Sequence, residues 1–222
     1  MSAPSEAEIR SLLAARDLAL LTRREFADQT VLRTLLMLTF DADELIGWRA
    51  VEAVGKVAGA VAAGEVERVR RFLRRLLWSM NDESGGVGWR APECIGEILV
   101  NVPSLIGEYG PLLMSHRDSE PFERGSHLAV YRVARCDSTP FRNDASELSQ
   151  SLDHADPAVR GYAALALGAI GAVEHRQGVQ ALRHDHASVS TYDFESGELR
   201  KRTVLEMVEE AIGLMGRGSD VR

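Results

Sequence analysis

Lysine is almost missing from this chain: of its 26 basic residues only Lys56 and Lys201 are lysine, so positive charge is carried by arginine. GC-rich codon usage produces such a skew, and no function is built on it. Cysteine is as scarce. Cys94 and Cys136 stand alone, which speaks against a disulfide framework. Both lie in apolar runs, where small buried thiols are common, and a reducing cytoplasm is the expected compartment. No apolar run approaches the roughly 18 residues a membrane-spanning helix needs. The first residues carry no basic segment followed by an apolar stretch, so a secretory leader is not expected. Strand signal is nearly absent. HExxH, CxxC, a phosphate-loop ending in Gly-Lys-Ser/Thr and a serine in a nucleophile elbow are all missing.

What is present is ordinary for a globular chain: 45% hydrophobic and 27% charged residues. Its 222 residues suffice for one sizeable core or an elongated stack. The net charge of -7 and pI near 5.4 weigh against general nucleic-acid binding, though they leave room for a local basic patch. A single domain over 1–222 is expected, with ends that fray near 1–5 and 217–222.

Internal repetition is the main signal. "WRAVEAVGKV" (48–57) and "WRAPECIGEI" (89–98) align without gaps, pairing Trp48 with Trp89, Arg49 with Arg90, Glu52 with Glu93 and Gly55 with Gly96. A third segment, "DPAVRGYAALALGAIG" (156–171), places Asp156 to cap a helix and Pro157 at its first position. Weaker copies start near Arg124 and Arg202. The anchor arginines 49, 90, 124, 160 and 202 step by 41, 34, 36 and 42 residues, a spacing that suits stacked helix pairs. One amphipathic hairpin cannot bury its apolar face alone, so neighbours must cover it. Mid-helix Gly55, Gly59, Gly96 and Gly168 cost helix stability and point to close helix approach. The pattern predicts helices over 5–21, 23–39, 46–62, 64–80, 89–101, 104–114, 122–136, 143–152, 157–171, 175–183 and 200–216. Residues 188–199 are the least helical stretch, a long loop or a short hairpin. The fold class is therefore all-α, a solenoid of about five to six helical hairpins.

Asp156, Pro157, Val159, Arg160, Ala163, Ala164, Ala166, Leu167, Gly168, Ile170 and Gly171 closely resemble the HEAT-like repeat consensus of the phycobilisome-lyase type. The Trp-containing copies depart from it. The resemblance implies a right-handed α-solenoid (superhelix) whose inner helices form a binding surface, and it does not imply catalysis. Some relatives assist attachment or removal of bilin chromophores, others are scaffolds, and a distant branch removes alkylated bases from DNA. No catalytic motif of either enzyme group matches here.

The segment "WSMNDESGGVGWRAPE" (78–93) carries the strongest functional signal. Trp78 and Trp89 flank Asn81, Asp82, Glu83 and three glycines, and Trp48 holds the position equivalent to Trp89. An aromatic cluster beside acidic groups suits a peptide or ligand, and a nest of backbone amides there suits an anion. The alternative is structural: Asn81 and its acidic neighbours cap helix ends, the glycines turn the chain, and the tryptophans fill gaps between repeats. The preceding helix carries Arg68, Arg70, Arg71, Arg74 and Arg75. It reads either as a site for an acidic partner or as a solvated face paired to Glu52, Glu65, Glu67 or 82–83. The anchor arginines themselves read either as structural caps and bridges or as a ladder that binds a shared ligand. The six histidines have no spacing that supplies four zinc ligands, so no metal and no cofactor are expected. The candidate binding residues are Trp48, Arg49, Arg71, Arg75, Trp78, Asn81, Asp82, Glu83, Trp89, Arg90 and Glu93, with no catalytic residue assigned. A protein partner is expected. The competing expectation is an enzyme of HEAT-like fold, a bilin-lyase-like accessory or an alkyl-base DNA glycosylase, marked by a closed pocket holding a carboxylate of raised pKa.

Overall fold

A computed structural model describes residues 4–23, 28–81 and 89–217. Asp82 and Glu83 lie outside the described residues. Capping residues set most helix starts. Ser5 and Glu8 form a reciprocal capping box that opens α1 (Glu6–Ala15). Arg16 ends α1 in the left-handed region (φ 53), so the helix expected over 5–21 divides there and α2 (Leu18–Leu21) follows. Asp28 caps α3 (Gln29–Leu38) and Asp43 caps α4 (Glu44–Met80). Glu65, at φ -155 and ψ 93, breaks α4 into two helices, where the sequence pattern changes from one to the next. Next come α5 (Ala91–Asn101), α6 (Ile106–Met114), α7 (Glu123–Ala134), α8 (Ala145–Gln150), α9 (Pro157–Ile170) and α10 (Arg176–Ala181). A hairpin of β1 (Ser188–Asp193) and β2 (Glu198–Thr203) precedes α11 (Val204–Arg217). The least helical stretch is thus a hairpin, and β2 takes the first residues assigned by sequence to the last helix. Arg200, Lys201, Arg202 and Thr203 supply no apolar helical stripe, so no packing face favours a helix before Val204.

The chain groups into two compact units. One comprises Met1–Val102 with Tyr192–Glu198, and the other comprises Pro103–Thr191 with Leu199–Arg222. In the first, Ile9, Leu13, Leu32, Leu35, Leu73, Leu76, Ile95 and Ile98 are fully buried. Here α5 runs alongside the first part of α4 in the same direction. A Cβ on Gly55 would lie 2.5 Å from the Glu97 carbonyl oxygen, and one on Gly59 would lie 3.2 Å from that of Asn101. Close approach therefore explains the mid-helix glycine at 55. In the second unit α9 packs on α11 in the same way, with a Cβ on Gly168 falling 2.7 Å from the Ala211 backbone. Asp156 caps α9 and Gly171, at φ 76, terminates it, as the motif requires.

One anchor arginine in each unit does the same job. Arg49 donates to the carbonyls of Leu13, Ala14 and Gly197 and to Glu198. Arg160 donates to the carbonyls of His154 and Ala155 and to Asp185. Each planar guanidinium satisfies carbonyls left over at a preceding turn and pairs with a carboxylate. Arg124 pairs with Asp156, and Arg202 with Glu210. Arg90 has no such carbonyl set among the described contacts and instead lies over an indole, as described below.

His127 is buried, its Nδ1 2.8 Å from the Glu123 carbonyl and its Nε2 2.9 Å from the Ser151 hydroxyl. Donation by Nδ1 to the carbonyl leaves Nε2 as the acceptor from Ser151. Among the described residues, no group of His, Cys, Asp and Glu is placed to hold a metal, and no helix is long and apolar enough to cross a membrane. Cys94 is buried, but Cys136 is exposed at the end of α7, where the apolar run meets solvent.

Candidate functional site

The three tryptophans part company. Trp48 lies within α4 and is 9% exposed, while Trp78 and Trp89 are 68% and 63% exposed. Trp48 fills a gap, as the structural alternative held for all three. Trp78 and Trp89 present large aromatic surfaces at the end of α4 and just before α5.

Trp48 is covered by the tip of the β hairpin. The Tyr192 ring stacks on it with centroids 5.7 Å apart and planes 5° from parallel, and Phe194 meets both rings edge-on. The Tyr192 hydroxyl donates to Glu52 at 2.5 Å, so one side chain both covers the indole and satisfies the carboxylate four residues along α4. Arg16 completes the Glu52 site at 3.2 Å and also donates to the carbonyls of Phe194 and Glu195. Gly197, at φ 72, lets the hairpin close against that guanidinium: a Cβ there would coincide with it. Burial, then the bond to Glu52, pushes the Tyr192 phenol well above its usual range. The Arg90 guanidinium lies 4.3 Å from the Trp48 ring centroid, a cation–π contact linking the two Trp-Arg copies.

The second copy is built differently. α5 begins at Ala91, so Trp89 and Arg90 precede the first helical residue, whereas Trp48 and Arg49 sit inside α4. Glu93, the counterpart of Glu52, is half-buried, and its Oε2 is occluded with no hydrogen-bond partner among the described residues. Desolvation raises its carboxyl to about 7, against weaker opposing effects of its own backbone amide and Arg90. The same environment drives the Cys94 thiol far up, first through burial and then through Glu93, so that thiol is inert.

Asn81 ends α4 and its side-chain amide donates to the Leu77 carbonyl at 2.9 Å, a capping role. The arginine-rich part of α4 pairs with its own acidic residues: Arg68 and Arg71 with Glu65, Arg70 and Arg74 with Glu67. These pairs are exposed and screened by solvent, so they add little to stability. Arg71 and Arg75 are solvent-facing. Glu52, one of the partners considered from sequence, is engaged by Arg16 and Tyr192 instead. A cleft of about 650 Å³ opens at the α4 break, lined by Thr22, Ala60, Val61, Gly64, Glu65 and Arg68. Of the residues singled out from sequence, Glu65 and Arg68 line it, and none of the candidate binding residues does.

Of the candidate residues the structure brings Trp48 and Arg90 together, and it adds Tyr192, Arg16 and Glu52, which sequence reasoning did not join to them. The β-branched Val189 and Thr191, two residues apart in Ser188–Asp193, were the sequence signal for a strand, and both are buried there.

The class defined by this architecture is a predominantly helical repeat protein of the armadillo/HEAT type. An engineered protein solved by the Northeast Structural Genomics Consortium is similar, with TM-score 0.56 and 16% identity over 98% of this chain and 94% of that one. A designed armadillo repeat protein is similar at TM-score 0.51 and 20% identity over 96% of each chain. These likenesses concern the fold alone. No family model and no curated protein matches the chain.

Proposed function

We propose that this chain is a HEAT-like repeat binding module that recognises a protein partner through the surface around Trp78 and Trp89. The observation that carries the reading is their exposure, 68% and 63%, in a unit whose remaining tryptophan is packed. Tryptophan is enriched among the residues that dominate binding energy, and large exposed apolar groups mark interaction sites. The partner meets Arg90 and Glu93 beside Trp89, and Arg71 and Arg75 extend the charged rim from α4. The Asp156–Gly171 helix, with its cap, first-turn proline, anchor arginine and left-handed terminal glycine, supports a repeat of the phycobilisome-lyase type. Two free thiols support a cytoplasmic setting.

The test is a pull-down from native extract with wild type, Trp78→Ala and Trp89→Ala, each variant first checked for an unchanged thermal melt. A partner retained by wild type and lost by both variants is expected. Recovery of the same partner at equal yield with both variants refutes the reading.

One observation favours a second reading, an enzyme. Glu93 holds a carboxyl near 7, the range of a general acid–base group. The two enzyme classes raised by resemblance are tested by release of an alkylated base from DNA and by transfer of a bilin. Either activity, if lost in Glu93→Gln, would replace the binding reading.

A further inference from the structure

Beyond its break at Glu65, α4 continues over 66–80 with one face toward solvent. Val69, Phe72, Leu73, Leu76 and Met80 are buried, which turns Arg68, Arg71, Arg74, Arg75 and Trp78 outward together. Arg71, Arg75 and Trp78 follow one another turn by turn, about 6 Å and then about 4.5 Å along the axis. The exposed indole thus ends a row of guanidinium groups on the same helix face. The segment 65–80 holds five arginines against two glutamates, a local positive excess in a chain whose net charge is -7. Its own carboxylates do not neutralise it. Glu65 is shared by Arg68 and Arg71, Glu67 is shared by Arg70 and Arg74, and among the described residues Arg75 has no ion-pair partner.

We propose that this face of α4 binds an acidic segment of a partner protein, whose carboxylates pair with Arg71 and Arg75 and whose adjoining apolar side chain covers Trp78. The proposal rests on the binding reading above and names the chemistry of the partner. Planar guanidinium forks take carboxylates through two parallel hydrogen bonds. The bond of Arg71 to Glu65 lies in water at 3.5 Å and exchanges at little cost. Carboxylates one turn apart on a partner helix, or two residues apart on an extended segment, match the spacing of Arg71 and Arg75. A long polyanion fits less well. Duplex DNA or an anionic bilayer spreads past one helix face onto the rest of an acidic chain. A short segment stays within about 8–10 Å, the range over which these arginines act.

The test pans a displayed library of random peptides on the full chain. Enriched sequences are then titrated as synthetic peptides against wild type, Trp78→Ala, Trp89→Ala and Arg71→Gln/Arg75→Gln, each variant first checked for an unchanged thermal melt. Arg75→Gln alone, at a side chain with no ion pair to lose, replaces the double variant should its melt shift. Peptides that need Trp78 are expected to carry at least two carboxylates beside an apolar residue. Changing those carboxylates to amides weakens binding to wild type at least about fivefold, the scale of two exposed ion pairs. The same change alters binding to Arg71→Gln/Arg75→Gln by less than about twofold, because the pairing cations are gone. Trp78-dependent peptides without carboxylates, or an equal loss on amidation in both chains, overturn the proposal and leave the binding reading standing. So do peptides that depend on Trp89 alone, or a library from which nothing is enriched. Labelled duplex DNA or phosphatidylserine vesicles that bind wild type more tightly than any peptide, and are lost by Arg71→Gln/Arg75→Gln, make a polyanion the occupant and overturn it. A dimer dissociated by that variant, with no peptide competing, makes a second copy the occupant and likewise overturns it. Enriched peptides indifferent to both Trp78→Ala and Trp89→Ala overturn the binding reading itself, and the proposal with it.

Discussion

Replacing Glu93 with glutamine should flatten the pH dependence of stability over the neutral range. The carboxyl lies at about 7 in the folded chain against an ordinary value of 4.5, mainly because burial strips water from the ionised form. A folded-state pKa raised above the unfolded value contributes stability that is fully present below the unfolded pKa and is lost as pH rises through the folded one. A difference of this size corresponds to at most about 3 kcal/mol, most of it lost between about pH 5 and pH 8. Urea denaturation followed by circular dichroism at unit steps of pH measures it directly. Glutamine keeps the shape and cannot ionise, so the difference between the two proteins isolates this group from others. That separation matters because buried His127, held below its ordinary value by desolvation, gives the opposite slope, losing stability as pH falls. Carboxylates held low by hydrogen bonds, such as Asp41 with Arg10, titrate below this window. Wild type and Glu93→Gln giving parallel stability curves from pH 5 to pH 8 would refute the claim that Glu93 is desolvated.

Tyr192→Phe keeps the stacked ring but leaves Glu52 short of its 2.5 Å donor; a loss of about 1–3 kcal/mol by urea denaturation is expected. Gly168→Ala forces a methyl against the Ala211 backbone 2.7 Å away and should cost about 1–3 kcal/mol, with a lowered melting temperature as the readout. Trp78→Ala and Trp89→Ala, at exposed positions, should leave stability within about 0.5 kcal/mol while removing binding, whereas Trp48→Ala should cost about 3–5 kcal/mol. Arg49→Met strands three backbone carbonyls and Glu198, and chemical denaturation should register a loss of more than about 2 kcal/mol.

The helices were legible because their signals are local. Asp156, Pro157 and Gly171 mark the limits of α9 within a few residues of sequence, and the apolar stripe between them does the rest. The break at Glu65 was legible as a change of pattern. Arg16 was not, since an arginine in the left-handed region carries no compositional mark; its backbone amide closes α1 on the Leu12 and Leu13 carbonyls while its side chain reaches the distant carbonyls of Phe194 and Glu195. Tyr192 and Glu52 were illegible for the same reason on a larger scale. They meet across 140 residues, and no spacing rule in one sequence reports a contact of that separation. The alignment of Glu52 with Glu93 was visible, but their opposite circumstances were not.

Those circumstances follow from where each helix begins. Asp43 caps α4 five residues before Trp48, so Trp48 is held on a formed helical turn with Glu52 one turn further along. A ring arriving from the hairpin then meets both at once. α5 has no side-chain cap and starts only at Ala91, with Pro92 in its first turn. Trp89 therefore stands before the helix, while Glu93 lies in its first turn, where the helix dipole favours a carboxylate but burial opposes its charge. The same Trp-Arg-Ala sequence thus yields a packed indole in one copy and an exposed one in the next. The late start of α5 leaves Trp89 exposed ahead of the helix, while Glu93 is carried into its first turn with one oxygen shielded from solvent.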